Sequence, residues 1–114
     1  MRGVTTSIMT VSLLPFTGTE ALKQVGEILK DYPEYKVFVD GHTDNRPILR
    51  SLKKKFPTNK ELSVARAANA AKALTEGGLG AATTMGYANT RPVAPNTTDA
   101  GRQQNRRVEV RVTK

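Results

Sequence analysis

The stretch from Arg107 to Thr113 constrains this chain most. Val108, Val110 and Val112 alternate with Arg107, Glu109, Arg111 and Thr113. A period of two places the valines on one side of an extended strand and the charged residues on the other. The chain therefore needs a sheet with one covered face and one solvated face, and helices to do the covering. The sequence supplies them. Thr17, Gly18, Thr19 and Glu20 fit a capping box ahead of Ala21, Leu22, Val25, Ile28 and Leu29, which predicts an amphipathic helix over 19–30 with one face on the sheet. Pro33 cannot continue a helix, so 31–34 is a turn. Thr58 to Glu61 is a second capping box, opening an alanine-rich helix that runs to about Gly77.

Further strands are expected at residues 4–14, 35–40 and 82–86. Residues 45–58 read as a polar, basic connection, and 87–105, with Pro92, Pro95, Asn96 and Gly101, as a long irregular loop with room for one helical turn. The order β-α-β-α-β-β predicts an α/β two-layer sandwich, with a mixed sheet of about four strands and two main helices packed on one face. At 114 residues, 38% of them apolar, the chain has material for one core and one domain, residues 1–114.

Composition removes several function classes. Without cysteine there is no disulfide, thiol nucleophile or thiolate metal site, and a single histidine, His42, argues against a histidine-rich metal centre. No metal and no cofactor is expected. A net charge of +8 favours an anionic partner. Aromatic residues are only 5%, with no aromatic–basic interleaving, so nucleic acid is not the expected partner. No run approaches the ~20 apolar residues that a bilayer demands. The apolar stretch Ile8–Phe16, broken by Thr10, Ser12 and Pro15, is not read as a signal peptide.

Two polar clusters could carry chemistry. Gly41, His42, Thr43 and Asp44 stand where a strand runs out into a loop, a common place for a binding site. Asn59, Ser63 and Arg66 are spaced i, i+4 and i+7, on one face of the second helix. An aspartate at the strand end and an arginine on the helix can form a salt bridge that ties the two elements. They can equally recognise a zwitterion, the carboxylate holding an ammonium and the guanidinium forking onto a carboxylate. Spacing alone leaves both readings open.

The ordered pieces Gly41 to Asn45, Asn59 to Ser63, Ala65 to Ala67, Gly86-Tyr87, Pro92, Asn96 to Thr98, Gly101-Arg102 and Asn105 to Glu109 resemble the OmpA-like (OmpA/MotB/Pal) peptidoglycan-associating domain. The resemblance spans roughly residues 10–113. It implies non-catalytic, non-covalent binding of the peptidoglycan stem peptide, anchoring a cell-envelope protein in the periplasm. It assigns Asp44 and Arg66 to the charged ends of the stem's diaminopimelate, with Asn59 fixing orientation and Thr43 and Leu62 lining the same region. It also implies that the domain is excised from a longer protein, which supplies any membrane attachment. The pattern Asp44-Asn45-x-Pro47-Ile48 followed by Phe56-Pro57-x-Asn59 is similar to the MotB branch, although Lys60 stands where that branch often has tryptophan. The rival from another class is a protein-interaction or homodimerisation domain of a flagellar stator-like protein, with wall binding secondary.

Other features have plainer readings. His42 lacks any nucleophile motif around it, and Asp40 with Asp44 lacks a sugar cleft, so no catalytic residue is assigned. The basic run from Arg50 to Lys55 is a solvated loop or a contact for anionic groups. Asn105 and Arg106 are read as structural, with the alternative that one of them reaches a ligand.

Overall fold

A computed structural model describes residues 7–13, 19–48 and 53–113. Seven elements follow in chain order: β1 (Ser7–Leu13), α1 (Thr19–Leu29), β2 (Lys36–Gly41), α2 (Asn59–Glu76), β3 (Thr83–Gly86), α3 (Asp99–Asn105) and β4 (Val108–Thr113). The strands form one sheet in the order β1-β4-β2-β3. β4 is antiparallel to both β1 and β2, whereas β3 runs parallel to β2, so the sheet is mixed. The predicted starts of the first strand at residue 4 and of the capping box at Thr17 lie outside the described residues, as does part of the basic run, 49–52.

The alternation along β4 has its expected consequence. Val110 and Val112 are buried with Val37 and Val39 of β2, while Arg111 and Glu109 lie on the opposite face. α2 covers the buried face with Ala67, Ala70, Ala73 and Leu74, at helical spacing. Leu22 and Leu29 of α1 and Leu79, just after α2, complete the core. Helix α1 meets the protein chiefly through α2, and glycines set that closeness: a Cβ on Gly26 would stand 2.1 Å from the Leu74 carbonyl oxygen, and one on Gly77 2.0 Å from that of Lys23.

The second capping box is present: the Thr58 hydroxyl accepts from the Lys60 N–H at 3.2 Å, and Glu61 accepts from the Thr58 N–H at 3.0 Å. Gly77 closes the helix, and Gly78 takes a positive φ of 123°, which only glycine adopts without strain. The region read as a long loop with one helical turn contains α3, two turns capped by the Thr98 hydroxyl on the Gly101 N–H at 3.0 Å.

Candidate functional site

The site is built at the C-terminal ends of β2 and β3, under the first half of α2. Two glycines make this seating possible. Gly41 and Gly86 are register partners at the ends of β2 and β3. A Cβ on Gly41 would lie 2.1 Å from the Ser63 carbonyl oxygen, and one on Gly86 2.6 Å from Val64 Cγ2 and 2.7 Å from Ser63 Oγ. α2 therefore rests almost on the sheet backbone at Ser63. The fully buried Ser63 hydroxyl accepts from the Ala88 N–H at 3.0 Å and donates to the Lys60 carbonyl at 2.9 Å. Ala88 holds a left-handed φ of 53°, and its carbonyl receives the Thr43 N–H at 2.8 Å. One serine thus joins the helix to the loop after β3, and that loop to the segment after β2.

Thr43 and Asp44 are both buried in that segment. The Thr43 hydroxyl donates to the Asp44 carbonyl at 2.8 Å. Asn59 reaches back from the start of α2, its Nδ2 donating to the Arg46 carbonyl at 2.9 Å and lying 3.4 Å from the Asp44 carbonyl. Asn59 therefore fixes the loop that carries Asp44. Leu62 is half-buried in the first turn of α2.

The Asp44 carboxylate is not paired with Arg66. Its Oδ2 accepts from Arg106 Nη1 at 2.6 Å, and its Oδ1 from the Arg46 N–H at 3.0 Å. The salt bridge between strand end and α2 considered from spacing is thus absent, and Arg106, read from sequence as structural, takes its place. The reason lies in the register. Gly41 pairs with Val108 and the His42 N–H donates to the Arg107 carbonyl at 2.9 Å, so antiparallel pairing brings 106 beside 44.

Arg66 is half-buried, and its Nη1 is shielded from solvent without a hydrogen-bond partner among the described residues. Burial pushes the guanidinium below its usual basicity, Arg106 pushes the same way, and Asp44 opposes both. Arg46 lies 3.9 Å from Asp99, which also receives Arg102 and feels Arg106. The neighbourhood thus holds four guanidiniums, on Arg46, Arg66, Arg102 and Arg106, against the carboxylates of Asp44 and Asp99. A buried N–H donor on a cation, without an acceptor, is costly unless something else supplies one. A ligand carboxylate is the natural acceptor for a guanidinium.

His42 belongs to a separate cluster behind this site. It is 3% exposed, stacked on Tyr87 with ring centroids 5.4 Å apart, and its Nε2 lies 3.8 Å from Glu109. Arg91 covers the Tyr87 ring at 3.8 Å. Burial first, then Arg107, holds the imidazole below its ordinary pKa. Among the described residues no group of three His, Cys, Asp or Glu side chains could hold a metal ion, and no helix is long and apolar enough to cross a membrane.

The sequence matches the OmpA family over residues 12–106. The chain belongs to that family. Motility protein B of Bacillus subtilis is 41% identical over 91 residues, covering 77% of this chain and 34% of that protein. The peptidoglycan-binding protein ArfA of Mycobacterium bovis is 35% identical over 101 residues, covering 87% of this chain and 28% of that protein. The solved structure of the cell wall anchor of the type VI secretion system from Pseudomonas aeruginosa superposes with a TM-score of 0.73 at 34% identity, covering 90% of this chain and 79% of that one. The chain thus spans about a third of the length of the two sequence relatives.

Proposed function

We propose that this domain binds peptidoglycan non-covalently through the diaminopimelate of the stem peptide, and so anchors its parent protein to the cell wall. The observation that carries the proposal is the buried, unpartnered Nη1 of Arg66 beside the Asp44–Arg106 pair. A carboxylate of the diamino acid accepts from Arg66. Its ammonium approaches Asp44, whose two protein hydrogen bonds use only about half of a carboxylate's roughly four acceptor positions. Asn59 and Thr43 hold the Asp44 backbone in place, and Leu62 adds apolar surface on α2. The names of the Mycobacterium bovis and Pseudomonas aeruginosa relatives support the wall as the partner.

Truncating either charged side chain leaves a ligand charge unpaired in a partly desolvated site, a loss of roughly 2–5 kcal/mol in binding. Arg66→Ala and Asp44→Ala are therefore expected to abolish co-sedimentation with purified sacculi while retaining the wild-type circular dichroism spectrum. Retained sedimentation by both folded variants refutes the proposal. Likeness to Motility protein B supports the rival reading, a dimerisation domain, which predicts self-association that survives Asp44→Ala.

A further inference from the structure

Resting on the reading that this site takes the diamino acid of a stem peptide, we infer that Arg106 makes the site selective for the free carboxylate of that residue over its carboxamide. Three observations lead there. The Asp44 carboxylate is bonded to Arg106 at 2.6 Å and makes no hydrogen bond to Arg66, whose charge it offsets only in part. The surrounding charges are unequal, with Arg46, Arg66, Arg102 and Arg106 facing Asp44 and Asp99. The buried Nη1 of Arg66 lacks an acceptor among the described residues.

A guanidinium has only donors. A carboxylate offers it two acceptor oxygens and a full negative charge. A carboxamide offers one neutral oxygen and turns an NH2 group, itself a donor, toward the other N–H. That is a repulsive contact in a half-buried place, so the amide is rejected rather than merely bound less well. Arg106 sharpens the effect. By sharing Asp44 it weakens the negative charge that would otherwise compensate Arg66 when a neutral ligand end is bound. Its side chain is 36% exposed and within reach of an incoming ligand, while Asp44 is only 8% exposed.

Two synthetic stem tripeptides, identical except for a carboxyl or carboxamide on the side-chain centre of diaminopimelate, provide the test. Calorimetric titration of the wild-type domain is expected to show the amide binding about 30-fold or more weaker, the factor that corresponds to losing one buried charge pair. The discrimination falls at least several-fold in Arg106→Gln and is retained in Arg106→Lys, which keeps the charge. Raising salt from low to high concentration narrows the wild-type ratio, a check that needs no variant. Equal binding of the two peptides by wild type overturns the inference while leaving wall binding intact. A ratio indifferent to both Arg106→Gln and salt removes Arg106 from it. Failure of the folded wild type to bind either peptide overturns the wall-binding proposal itself.

Discussion

Asn105 holds together the part of the chain that delivers Arg106, and its removal has a calculable cost. The side chain is fully buried at the end of α3. Its Oδ1 accepts from the Val93 N–H at 2.7 Å and the Ala94 N–H at 3.1 Å, and its Nδ2 donates to the Ala94 carbonyl at 2.9 Å and to Asn96 Oδ1 at 2.8 Å. One amide therefore satisfies four groups of the segment before α3. Asn105→Ala leaves them unpaired. Val93 is exposed and its N–H recovers a water, whereas Ala94 and Asn96 are half-buried. At ~1–3 kcal/mol for a fully buried group left without a partner, and the lower part of that range for groups that are half-buried, the three sum to about 3–5 kcal/mol. Against a typical total of ~5–15 kcal/mol for a domain, that is about a fifth or more of the stability. Urea unfolding followed by circular dichroism measures it directly, with the m-value checking that the two-state description holds. Asn105→Asp keeps the two acceptor bonds, loses both donor bonds and sets a negative charge against two oxygens, so it is no milder than alanine. A destabilisation below about 1 kcal/mol in Asn105→Ala would refute the account of this segment, because it would mean that water replaces the amide without penalty.

Two further predictions concern the frame around the site. Gly41→Ala places a methyl where the Ser63 carbonyl stands at 2.1 Å, forcing α2 outward; we expect ~1–3 kcal/mol or more of destabilisation and weakened sacculus binding, and wild-type stability would show that β2 and α2 are not so closely apposed. His42 has a depressed pKa in the folded state, through burial and Arg107 and Arg91, only partly offset by Glu109 and Asp40. The unfolded chain thus takes up the proton first. Stability is full above the unfolded value of about 6.5 and declines as pH falls below it, by at most about 1.4 kcal/mol per pH unit. Thermal unfolding between pH 7.5 and 5.5 reads this slope, and His42→Phe, which keeps a ring against Tyr87, is expected to flatten it; an unchanged slope would assign the dependence elsewhere.

Much of the architecture is legible because it rests on local rules. The valine alternation of β4, the Thr58–Glu61 box and the turn at Pro33 are each written within a few residues, and the structure realises each of them. Helix α3 is less legible. It is only seven residues long and contains a glycine, so no hydrophobic period develops, and its stability comes from the Thr98 cap and the buried Asn105. The close approaches at Gly26, Gly41, Gly77 and Gly86 are tertiary, and a glycine in the sequence does not announce which backbone will press against it.

The site divides along the same line. Asp44, Asn59 and Arg66 stand out by residue type and helical spacing, and the structure gathers the Asp44 loop and Asn59 by direct hydrogen bonds. The partner of Asp44 does not stand out, since Arg106 is 62 residues away. The signal that would have found it is the strand register: once β4 is paired antiparallel to β2 with Val108 opposite Gly41, the residue two before Val108 must lie near the residues following Gly41.

The central claim is that Arg66 waits for a wall carboxylate. Calorimetric titration of the domain with a stem peptide containing diaminopimelate, run in parallel on wild type and Arg66→Ala, tests it most directly. Saturable binding by wild type that disappears in the folded variant is the predicted result. Equal binding by both, or none by a folded wild type, would contradict it.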